Sequence, residues 1–153
     1  SFMDSVLEST KGCRERLRKI MCYAFQVTEQ SPQLVRLVLQ VFFSPPQEGP
    51  KLNRDRMIWQ RLTRLITIMR TGLSSGELSG NSPEELALSF AGLMDIHLIL
   101  KSHKPIIPLT PSHGEWLVDL FMEGARHAPV ATSGFNRMIT DALAPGTLKE
   151  ATA

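Results

Sequence analysis

Apolar residues recur along this chain every three to four positions, the period of an amphipathic α-helix. Nowhere do they alternate with the period of two that marks a half-buried strand. Phe2, Val6 and Leu7 fit the closing turns of a helix within residues 1–10, which Gly12 interrupts. Leu17, Ile20, Met21, Ala24 and Phe25 then line one face of a helix expected over about 13–28. Ser31 is a good N-cap and Pro32 suits the first helical position, where its missing N–H costs nothing. The helix they open, 31–44, carries Leu34, Val35, Leu37, Val38, Leu39, Val41, Phe42 and Phe43. A helix with so little polar face is expected to be buried on several sides. Pro45 and Pro46 end it. A loop to Pro50 leads into a long helix over about 51–72, with Met57, Ile58, Leu62, Leu65, Ile66 and Met69 on its stripe. Arg54, Arg61, Arg64 and Arg70 fall mostly on the other side.

Gly72, Gly76 and Gly80 mark the exit from that helix. The next start is the clearest local signal in the chain. Ser82 caps, Pro83 takes the first position, Glu85 completes a capping box, and both Glu84 and Glu85 favour the positive end of the dipole. This helix runs to about Ser102, where Lys101, His103 and Lys104 suit a C-terminus and Pro105 stops it. An extended connection, 105–111, ends at Thr110-Pro111, the cap of a helix reaching about His127. Phe135, Met138, Ile139 and Leu143 allow one more short helix in an otherwise irregular tail. The pattern therefore predicts an all-α bundle divided into 1–11, 12–128 and a tail, 129–153.

Composition excludes more than it identifies. The chain has 153 residues, 42% hydrophobic and 21% charged, enough to bury a core without disulfides or metals. A net charge of +2 is too small a footprint for nucleic acid or an anionic membrane. No run could span a bilayer and Ser1 to Asp4 does not open a signal peptide, so a cytoplasmic protein is expected. Cys13 and Cys22 lie nine residues apart on one helix, hence on opposite faces, and are expected as reduced thiols. The crowded charges Arg14, Glu15, Arg16, Arg18 and Lys19 read as a solvent-facing surface.

Candidate chemistry is sparse. Asp95, His97 and His103 share a helix but point about 200° and 240° apart, so they do not converge on a metal. His113 and Glu115 fall in a helix's first turn, where exposure is the default. There is no nucleophile elbow, no phosphate-binding glycine loop and no zinc spacing. Neither an enzyme nor a cofactor is expected.

Three stretches carry a resemblance. Gly72-Leu73-Ser74-Ser75-Gly76-Glu77-Leu78 precedes Ser82-Pro83-Glu84-Glu85-Leu86-Ala87. Leu109 to Arg126 places Trp116-Leu117-Val118-Asp119-Leu120-Phe121 ahead of Gly124-Ala125-Arg126. Ser31-Pro32-Gln33-Leu34 opens an early helix. Spanning most of 10–127, they resemble the C-terminal domain of TetR-family transcriptional regulators: its Gly-Glu-Leu turn and capped helix, its last main helix and its early helix start. The resemblance implies an effector-sensing and dimerising domain, most often of a repressor, whose effector biases the separation of two DNA-reading heads. The family's helix-turn-helix domain has no counterpart in these residues, and 1–11 would be the remnant of the helix connecting to it. DNA contact is therefore expected only through that missing N-terminal domain.

Two sites follow. Met21, Phe25, Met57, Met69, Met94 and Phe121 come from four helices, and adaptable thioethers and aromatics suit a pocket for a mostly apolar effector as well as they suit ordinary core. Leu62, Ile66 and Leu117 are expected beside them, with His97 as the one polar group near the wall. Helix 83–102 is apolar on more faces than one core contact needs, which predicts a homodimer through a four-helix interface. Leu86, Phe90, Leu93, Trp116, Leu120 and Gly124 are its expected contacts. The alternative is a helical protein–protein interaction module with no small-molecule site, and an enclosed apolar cavity of a few hundred Å³ distinguishes the two.

Overall fold

The computed structural model describes residues 1–43, 54–128 and Asp141. Among them are six α-helices and no strand: α1 (Phe2–Ser9), α2 (Cys13–Gln30), α3 (Pro32–Phe43), α4 (Arg54–Ser75), α5 (Pro83–His103) and α6 (Pro111–Ala125). The all-α expectation holds. The loop over 45–50, the expected start of the long helix near Lys51 and the short helix around 135–143 lie outside the described residues, Asp141 excepted.

Two antiparallel-type partnerships organise the bundle, α2 along α6 and α4 along α5, and α2 also touches α1, α3, α4 and α5. Leu17, Ile20, Met21 and Phe25 of α2 meet Leu65, Ile68 and Met69 of α4, Phe90 and Met94 of α5, and Leu117, Val118 and Met122 of α6 in one continuous core. Val6 of α1 belongs to the same core.

The α4–α5 turn shows why its sequence is punctuated by glycine. α4 continues through Gly72 to Ser75, one turn further than expected. Gly72 is buried, and a Cβ there would lie 2.8 Å from Leu78 Cδ1 and 2.9 Å from both Cys13 Cβ and Sγ. Its role is close approach, not helix termination. Gly76 provides the reversal with a φ of +79°. That turn aims Glu77 at the start of α2, whose N-cap, Gly12, has no side chain to offer. The Glu77 carboxylate accepts hydrogen bonds from Cys13 N–H (3.0 and 3.1 Å) and Arg14 N–H (3.2 Å), and so caps a helix distant in sequence. Burial opposes ionisation of Glu77, but these bonds outweigh it and hold the carboxyl below its ordinary range. Ser82 caps α5 through Glu85 N–H, and Thr110 caps α6 through His113 N–H.

The charged start of α2 is solvent-facing only in part: Glu15 and Lys19 are exposed, whereas Arg14, Arg16 and Arg18 are half-buried. Arg16 donates to the carbonyls of Thr10 and Leu7 and closes the end of α1. Arg14 and Arg18 converge on Asp119 of α6, with Glu123 also paired to Arg14. Arg18 first, with Arg14 adding to it, holds the Asp119 carboxyl below its usual value against the opposing effect of burial. At the other end of α2, buried Lys101 meets Glu29 (2.8 Å) and donates to the Ile107 carbonyl, while Glu29 accepts from Leu109 N–H (2.7 Å). Periodicity misses the Asp119 and Glu29 arrangements because each joins residues far apart in sequence.

α3 departs most from expectation. Only Val35 is buried, whereas Leu34, Leu37, Val38 and Phe43 are exposed in the single chain. The helix docks by one edge, and its remaining apolar side chains face either a void or solvent.

Candidate functional site

A half-enclosed cleft of about 630 Å³ lies between α3 and α4, with further walls from α1, α2 and α5. This is the size of pocket that takes a small organic molecule. Its lining is predominantly apolar. Leu34, Val38, Leu39 and Phe42 come from α3, Met57, Ile58 and Leu62 from α4, and Leu88, Ala91, Met94 and Leu98 from α5. Phe2 and Tyr23, stacked with ring centroids 3.7 Å apart, belong to the α1–α2 side. The void follows from the way α3 sits: a helix anchored by one buried residue cannot fill the space beside α4.

Few polar groups line the cleft, and those with bonds to the protein are largely spoken for. Arg61 of α4 and Asp95 of α5 form a two-pronged ion pair, Nη1 to Oδ2 at 3.1 Å and Nη2 to Oδ1 at 2.6 Å, with both side chains about three-quarters buried. Such a fork fixes the relative position of the two helices as well as contributing energy. Arg64 donates to both carboxylate oxygens of Asp4, at 2.6 and 3.0 Å, and this pairing, helped by the Ser1 hydroxyl, holds Asp4 well below the usual carboxylate range. Thr28, fully buried, donates to the Ala24 carbonyl at 2.6 Å.

Of the residues expected to bind an effector, Met57, Leu62 and Met94 line this cleft. Met21, Phe25, Ile66, Met69 and Leu117 do not; they are buried in the closed core. α6 contributes nothing to the lining, so the cavity lies on the far side of α2 from the place expected. The reason is the tightness of the α2–α6 seam. A Cβ on Gly114 would stand only 3.3 Å from Met21 Cγ and 3.4 Å from Phe25 Cδ2, which leaves no room there for a ligand. Phe121 is half-buried and meets Phe90 edge-on, with centroids 5.3 Å apart. His97 is also away from the cleft. Its Nδ1–H donates to the Leu93 carbonyl (2.6 Å), and its ring neighbours Phe25 and His113. The polar feature of the wall is instead the pair Arg61–Asp95. Arg61 carries a weak signal in the sequence as a charge beside an apolar stripe, but its partner, 34 positions away, carries none.

The expected dimer contacts divide in a similar way. Trp116 and Leu120 are 56% and 53% exposed, and Gly124 is open to solvent. On α5, Phe90 is fully buried and Leu86 and Leu93 pack against the core. Phe90 is thus corrected from interface to core. The exposed apolar positions of α5 are Ile96 and Leu100, with Gly92 also on the outside. A helix apolar on two sides gives periodicity no means of choosing which side turns outward.

Reactive groups are muted. Burial, reinforced by the Glu77 charge, pushes the Cys13 thiol up to about 12, and burial likewise raises Cys22. Among the described residues no three or more His, Cys, Asp or Glu side chains are grouped to hold a metal, and no helix is long and apolar enough to cross a membrane. No protein-family model, curated protein or solved structure matches this chain.

Proposed function

We propose that this chain is the effector-sensing and dimerisation domain of a TetR-like transcriptional regulator, most simply a repressor, that responds to a small, mostly apolar molecule. The observation that carries the reading is the cleft of about 630 Å³ beside α3, apolar in most of its lining and bridged by one ion pair between α4 and α5. Successive residues of α5 make the mechanism physically reasonable. Met94 and Asp95 line the cleft, while the next residue, Ile96, is 56% exposed on the outer side of the same helix. A ligand that moves α5 within the cleft therefore moves the surface that a second copy would contact. Such coupling requires the ligand to bind one arrangement of the helices more tightly than the other.

In this reading the homodimer forms through Ile96 and Leu100 of α5 and Trp116, Leu120 and Gly124 of α6, and DNA is read by a helix-turn-helix domain preceding Ser1 in the full protein. The coding sequence upstream of Ser1 tests the class directly. The proposal expects a three-helix DNA-binding domain there. An upstream sequence without one removes the regulator reading. It would leave the interaction module, which the open side of the cleft and the exposed Leu37 and Phe43 of α3 also suit.

A further inference from the structure

Where α4 meets α5, the charges of the cleft cancel as a pair. Both terminal nitrogens of Arg61 are engaged by Asp95, so the guanidinium and the carboxylate neutralise one another where they enter the lining. On the α1 side Arg64, the other arginine of the lining, shares Asp4 with the Ser1 ammonium, which lies 3.0 Å from the same carboxylate. A guanidinium has five N–H groups, and the fork to Asp95 uses two. Arg61 thus keeps N–H donors for a further acceptor while having no net charge left to offer. The Thr28 hydroxyl, already donating to the Ala24 carbonyl, adds no competing donor.

We infer that the cleft selects an uncharged amphiphile: an apolar body lying among Leu34, Val38, Met57 and Met94, and one neutral acceptor such as an ester, lactone or ketone oxygen at the Arg61 guanidinium. The inference rests on the effector reading above and adds the ligand's chemical class. At Arg61 a carboxylate head is rejected because it must either lie beside the Asp95 anion or break the Arg61–Asp95 fork and leave that anion unpaired in an apolar wall. A cationic head meets the mirror-image problem at Arg61. Taking a charge out of water into such a lining, without a free counter-charge, costs more than one hydrogen bond returns. A neutral oxygen gives up little hydration and gains a charge-assisted bond.

The test uses three molecules with the same chain and different heads: methyl decanoate, decanoate and decylammonium. Each is titrated at neutral pH, below its micellar concentration, against the chain loaded with Nile red, a neutral dye whose emission reports an apolar site. Methyl decanoate should displace the dye with an affinity about tenfold or more above that of either charged molecule. Asp95→Asn frees the charge of Arg61, so it should raise decanoate affinity about tenfold relative to that of methyl decanoate. Decanoate binding the native chain as tightly as the ester overturns the inference while leaving the effector reading intact. So does a folded Asp95→Asn chain with unaltered preference. If Asp95→Asn fails to fold, the order of the three molecules on the native chain decides alone. Absence of any saturable Nile red binding removes both the inference and the effector reading beneath it.

Discussion

Gly72 and Glu77 show how much of this fold rests on single positions of one turn. Gly72→Ala places a methyl group within 2.9 Å of Leu78 and Cys13, and nearby Cys13 is itself in the core. The expected cost is about 1–3 kcal/mol of stability, read by urea denaturation. Gly92→Ala on α5, where a Cβ meets nothing within 4 Å, should instead leave the single chain unchanged or stabilise it by up to about 1 kcal/mol. Glu77 is the side-chain cap of α2, so Glu77→Gln should cost about 0.5–2 kcal/mol at neutral pH. The same group gives a pH dependence. Its folded-state pKa is depressed, as are those of Glu29 and Asp119, by Lys101 first and Arg18 first respectively. Their contribution is complete above the ordinary carboxylate range, roughly pH 4–5, and is lost as pH falls through the lower folded values. Thermal midpoints should therefore decline on acidification below about pH 4.5, and Glu77→Gln should flatten that decline. The sequence announces these glycines and Glu77 as a motif, but it gives no hint that the carboxylate serves a helix 63 or 64 residues away.

At the scale of elements, all six described helices were legible to within a few residues, because period, caps and prolines agree on them. What each helix faces was much less legible. α3 reads as deeply buried, yet only Val35 is buried, since an apolar surface can line a cavity as readily as it can fill a core. α5 is apolar on two sides, and the side it leaves exposed carries Ile96 and Leu100, not Phe90. The cavity was expected against α6, where Gly114 lets α2 approach too closely for any void. Dynamics follow from the same packing. A helix with one buried residue opens locally at low free energy, so α3 amides should exchange faster than those of α2 and the second half of α4. Effector binding should slow α3 selectively. Hydrogen exchange that is equally slow in α2 and α3 without ligand contradicts this account of how α3 is held.

For the molecule as a whole, the exposed Trp116, Leu120, Ile96 and Leu100 are the side chains a partner copy would bury. Sedimentation at tens of micromolar should give a dimer, and Leu120→Glu should give a monomer with little loss of stability, because Leu120 is already half exposed in the single chain. A monomer for the native chain contradicts the interface. The bundle's existence and its surplus of apolar surface could be read from sequence; the placement of its charges could not, because Arg61 finds Asp95, and Arg64 finds Asp4, only after the chain has folded. The central claim is that the space beside α3 and α4 receives a small apolar molecule, and Met94→Trp tests it most directly. Met94 is 4% exposed and lines the cleft, so a larger ring there occupies ligand space. The account predicts one saturable Nile red site per native chain and its loss in Met94→Trp, with thermal stability of the empty protein kept or raised. Undiminished dye binding in that variant, or a melting temperature lowered as overpacking of a closed core requires, would contradict it.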